Sequence, residues 1–150
     1  MDEQYKRLKE KYGLPEYALL DADFEISTIE QKSFLLRSVM KKILEKMELY
    51  TKLLEDLMHP ESNLASMYEC NIFSSEEKKE IFRLFKKLLY YHRLAIELDL
   101  QYEEKSCAKY LVDFFSDWAG IKRDLGKIVS QMKRSWTLEL NDKLDSGYFG

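Results

Sequence analysis

Few side chains in this chain can do covalent or metal chemistry: two histidines, two cysteines and some carboxylates at helical spacing. An imidazole acts as ligand or base only where a partner shares its face. Three and four positions from His92 stand Leu88, Leu89, Ala95 and Ile96. All are apolar, so the spacing predicts a histidine at the edge of a core. His59, beside Pro60 and Glu61, makes with Cys70 at most half of a zinc site, since zinc usually takes four ligands. The Glu-x-x-His pair of a di-iron bundle does not occur.

Magnesium-dependent helical enzymes gather several carboxylates on adjacent helices. Glu45 and Glu48, three apart, begin that pattern, but the Glu-x-x-Asp companion falls only at Glu139 and Asp142, near the end of the chain. Lys41 and Lys52 stand four residues from Glu45 and Glu48, the spacing of ion pairs on a solvated face. Asp113 and Asp117 share a face with Lys109 and read the same way. The run from Gly120 to Ile128 resembles a phosphate-binding loop only in outline. It has five residues between its glycines instead of four, Ile128 where a Ser or Thr should hold magnesium, and no preceding strand. No catalytic residue, cofactor or metal site is assigned, and an acidic metal-dependent enzyme is kept as an alternative.

Charge gives one local signal. Between Gly120 and Trp136 the five cations Lys122, Arg123, Lys127, Lys133 and Arg134 face one acid, Asp124, a net of +4. Met1 to Ser27 carries seven acids and four bases, a net of -3. With Trp136, and with Lys86, Lys87, Tyr90, Tyr91 and Arg93 on another helix, the basic segment suggests phosphate tracking and base stacking. RNA or DNA binding through Lys122, Arg123, Lys127, Lys133 and Arg134 is therefore the second alternative. The competing expectations are cations snorkelling over core aromatics or complementing a helix C-terminus.

The elements that carry these residues read as helices. Leu36, Met40, Ile43, Met47, Tyr50, Leu54 and Leu57 recur in steps of four and three, one face of an α-helix. Leu35, Val39, Leu44, Leu49, Leu53 and Met58 widen that face beyond what one neighbour covers. Ser27-Thr28-Ile29-Glu30 matches a capping box and predicts that this helix starts there and runs for roughly 31 residues, about 46 Å. His59-Pro60 ends it, and Pro60 suits the start of a short helix reaching Cys70. Ser74-Ser75-Glu76-Glu77 opens the next long helix, with Ile81, Leu84, Leu88, Tyr91 and Ala95 on its face and Phe82, Phe85, Leu89 and Ile96 beside them. A break near Glu103 to Ser106 precedes a last periodic stretch, in which Gly120 is a candidate kink. A helix over Asp2 to Tyr12 stops at Gly13, and an irregular segment with a brief helical turn follows, to residue 26.

Five glycines and two prolines leave few places to turn. The fold class expected is an all-α antiparallel helical bundle, with two or three long helices plus short N-terminal and connecting helices. It is read as one domain over 1–150, with 137–150 as a flexible tail. Formal charge of -3 gives no bulk attraction to polyanions, and no apolar run approaches a membrane span. The unpaired cysteines suit a reducing, cytoplasmic interior. Scarce Asn and Gln with 34% charged residues are a combination commoner in thermophile proteins.

Apolar faces this broad, with ten tyrosines and six methionines, exceed what a small core needs. The leading expectation is a non-enzymatic protein–protein interaction module. Its partner is another protein or a second copy of the chain, and no membrane is involved.

Overall fold

A computed structural model describes residues 3–61 and 63–137. Among them are six α-helices, one short 3-10 turn and no strand: α1 (Glu3–Tyr12), α2 (Tyr17–Phe24), α3 (Leu35–Met58), α4 (Leu64–Asn71), α5 (Ser75–Leu100) and α6 (Glu104–Ser135). The protein is an all-α helical bundle, with three long helices among the described residues, as periodicity predicts. The tail expected to be flexible lies outside the described residues from position 138 on, as do Glu139 and Asp142.

Contacts group the chain into two compact units, Met1–Leu49 with Lys87–Ala119, and Tyr50–Lys86 with Gly120–Gly150. In the first unit Glu3 begins α1 and Lys9 and Lys11 occupy its last turn, matching the helix dipole. Gly13, at φ +68°, closes that helix, and its N–H and that of Leu14 both donate to the Lys9 carbonyl, at 2.8 and 3.4 Å. The core of this unit contains an aromatic cluster. Phe24 meets Phe114 at 5.7 Å and Trp118 at 5.0 Å, and Tyr110 stacks on Phe114 at 6.0 Å. Two of its aromatic polar tips find partners: Tyr5 Oη donates to the Pro15 carbonyl at 2.5 Å, and Trp118 Nε1 donates to Asp23 at 2.8 Å. Within this unit Arg37 reaches Asp99 and His92 approaches Glu48, so α3 and α5 run antiparallel.

The second unit holds Leu54, Leu57, Ile81, Leu84, Ile121 and Leu125 in its interior. The ring of Tyr68 is 2% exposed; its hydroxyl donates to the Ser135 carbonyl at 2.8 Å, tying α4 to the end of α6. Ser74-Ser75-Glu76-Glu77 opens α5 as expected, and Ser74 and Glu77 form a capping box there: the Glu77 N–H donates to Ser74 Oγ at 3.1 Å, and the Ser74 N–H donates to Glu77 Oε1 at 2.9 Å.

Several boundaries differ from those expected. The long helix starts at Leu35, not Ser27, because α2 extends to Phe24 and Glu25 then turns left-handed at φ 55°. The next three residues form a 3-10 turn in which the Ser27 N–H donates to Asp21 at 2.7 Å and Thr28 Oγ1 donates to the Glu25 carbonyl. Ile26 and Ile29 are buried and hold the segment in place, so Ser27 is not a cap. The resulting α3 has 24 residues, about 36 Å at 1.5 Å each. The short helix starts at Leu64 instead of Pro60, capped by Asn63, whose side chain accepts from the Ser66 N–H at 3.1 Å. Gly120 does not divide the last helix: α6 is continuous over 32 residues. The break between α5 and α6 spans only Gln101–Glu103.

Candidate functional site

The sequence-nominated chemical residues resolve into ordinary structural roles. The His92 side chain is mostly buried, with Nδ1 2.8 Å from Arg93 and Nε2 3.6 Å from Glu48, at the edge of the first unit's core. Asp117 accepts from Tyr91 Oη at 2.5 Å and lies 3.5 Å from Lys87, while Asp113 pairs with Lys109 at 2.6 Å. Burial, then Asp117, push the Tyr91 phenol far above its ordinary range, so it stays a neutral donor. In the second unit His59 sits with Glu55, Asp56 and Glu61 around an open depression, and Asp56 pairs with Lys52 at 3.0 Å. No three His, Cys, Asp or Glu side chains converge to hold a metal among the described residues. Cys107 is buried, and burial pushes its thiol up to about 11, which keeps it protonated and a poor nucleophile. The phosphate-loop lookalike lies inside α6, where helical backbone N–H groups are already committed.

Lys122, Arg123, Lys127, Lys133 and Arg134 are all exposed. At about 100° per residue they fall within an arc of about 140° on the outward side of α6. Arg123 lies 3.7 Å from Asp124, and Lys127 lines a 340 Å³ groove with Glu77, Glu80 and Asp124 over a floor of Phe73 and Ile81. Of the aromatic residues expected to stack bases beside these cations, Tyr90 is exposed, at 62%, but lies on α5 in the first unit, and the other two are engaged. Trp136 lies on Tyr68 at 4.5 Å and donates to Glu69 at 2.9 Å, and Tyr91 is buried.

The first unit also leaves apolar side chains uncovered. On α5, Ile96 and Leu100 are one turn apart, 39% and 79% exposed. They border a groove of about 100 Å³ between α3 and α5, floored by Met40, Leu44 and Ala95. Lys41 and Asp99 also line it. Asp99 accepts from Arg37 Nε at 2.6 Å, and that guanidinium holds its carboxyl below the usual carboxylate range. Arg37 is fixed in turn over the Tyr102 ring at 5.9 Å, and Tyr102 meets Phe34 edge-on at 5.1 Å. The groove is thus an apolar strip with an ordered charge of each sign beside it. The sequence reading named Leu44 and Ile96 among residues that widen their faces. It missed Leu100, whose signal is the four-residue step from Ile96.

No helix among the described residues is long and apolar enough to cross a membrane. Comparison with protein-family models, curated proteins and solved structures finds no match for this chain.

Proposed function

We propose that the protein is a non-enzymatic interaction module that self-associates through the α3/α5 face of its first unit. The observation that carries this reading is the exposure of Leu100 and Ile96 beside the apolar floor of Leu44 and Met40. Apolar surface gains about 25 cal/mol for each Å² removed from water, and leaving Leu100 at 79% exposure forgoes that gain in the lone chain. A second copy is favoured as occupant because the groove carries one cation and one anion, Lys41 and Asp99. A two-fold axis running between them would set each against its opposite on the other copy, and an isologous interface makes that contact twice. The unpaired Cys70 and the inert Cys107 suit work in a reducing, cytoplasmic setting.

The test is light scattering coupled to size exclusion, from about 1 to 100 μM protein. The wild type is expected to pass from monomer to dimer over that range, and Ile96→Glu with Leu100→Glu to remain monomeric with an unchanged helical circular dichroism spectrum. A wild type that stays monomeric throughout overturns the reading. So does a double variant that still dimerises.

A further inference from the structure

The outward face of α5 in the second unit carries a surface of different character. Lys78, Phe82 and Lys86 follow one another at steps of four, with Lys79 and Arg83 one position further round. At about 100° per residue all five fall within an arc of about 140°, opposite the buried Ile81 and Leu84. They line a shallow depression of about 500 Å³ with Ser75, and no acidic side chain lines it. Phe82 is 50% exposed at its centre, and the Lys86 ammonium lies over the ring at 5.7 Å. The nearest acids sit on one flank: Glu76 lies 3.2 Å from Lys79, and Glu80 pairs with Arg83. These exposed pairs are worth little and are readily exchanged for another anion.

We infer that this face binds single-stranded nucleic acid, with the four cations on phosphates and Phe82 as a stacking platform for one base. Charge complementarity calls for a polyanion, and the aromatic at the centre of the cations selects one with π-faces along its length. Single-strand binders combine these two features. An anionic membrane is less well matched. An interfacial helix inserts a row of large apolar side chains, and this arc offers only Phe82, with the half-buried Phe85 stacked beside it at 6.5 Å. The outward cations of α6 lack an aromatic on their arc, which is why the assignment falls to α5. The inference is independent of self-association, which uses the first unit.

Fluorescence anisotropy with labelled 15-nucleotide oligo-dT and oligo-rU tests it, on the full chain in 20 to 200 mM salt. Binding is expected to weaken steeply as salt rises, with a log–log slope of about -2 to -3 if three or four phosphates are neutralised. Phe82→Ala should weaken it roughly five- to a hundredfold, as stacking of one base implies, and Lys78→Glu with Lys86→Glu should abolish it. Circular dichroism and the light-scattering profile should match wild type for all of these variants, since the replaced side chains lie on the surface of the second unit. Absence of binding at 20 mM salt overturns the inference. It is equally overturned if Phe82→Ala binds as wild type, if only Lys122→Glu with Arg134→Glu lowers affinity, or if the protein sediments with phosphatidylserine vesicles while ignoring the oligonucleotides.

Discussion

Tyr110 is 1% exposed, and its hydroxyl is the buried side-chain polar atom with no hydrogen-bond partner among the described residues. Its ring is nonetheless held by Phe114 and Tyr91. An unsatisfied buried hydroxyl costs roughly 1–3 kcal/mol. Tyr110→Phe, which keeps the ring and removes the hydroxyl, should therefore raise stability by about 1 kcal/mol, read as a higher melting temperature. A lower one contradicts the account. Arg37 and Asp99 act in the opposite sense. The carboxyl of Asp99 is held below its ordinary value by Arg37, so the pair stabilises the fold above the unfolded carboxylate range near pH 4, and that contribution is lost as pH falls through the lower folded value. Arg37→Gln should be less stable than wild type to urea at pH 7, and the two should converge near pH 2. A gap of the same size at both pH values contradicts the assignment.

At the scale of elements, the same Ser-x-x-Glu pattern occurs at Ser27 and at Ser74 and folds in two ways. Ser74 caps α5 reciprocally with Glu77, whereas Ser27 lies in the 3-10 turn after α2. Ser74→Ala should cost about 1 kcal/mol in chemical denaturation, the usual worth of such a cap, and Ser27→Ala much less. Equal costs would show that the two sites had been misassigned. Helix existence was legible because apolar residues recur at steps of three and four, and Ile43, Met47, Leu54 and Leu88 are all fully buried. The boundaries around α3 and α4 were less legible because Glu25, Phe34 and Glu61 adopt left-handed backbone without being glycine. Non-glycine residues rarely enter that region, so no local signal marks them, and tertiary burial of Ile26 and Ile29 decides the path. The candidate groove was half legible, through Leu44 and Ile96. That Leu100 would stay uncovered depends on which helices flank α5, and that is set by packing between distant segments.

For the molecule as a whole, the small net charge gives no bulk attraction between copies, so the proposed self-association rests on apolar contact. The arrangement of Lys41 and Asp99 beside the groove turns this into a question of symmetry. Lys41→Glu alone and Asp99→Lys alone each set like charges together at both ends of a two-fold interface. A mixture of the two variants sets opposite charges together at both ends. Sedimentation velocity on each variant and on their equimolar mixture is the direct measurement. Self-association through this face predicts that each variant dimerises several-fold more weakly than wild type and that mixing restores a dimer containing one copy of each. A mixture no more associated than its separate components contradicts it.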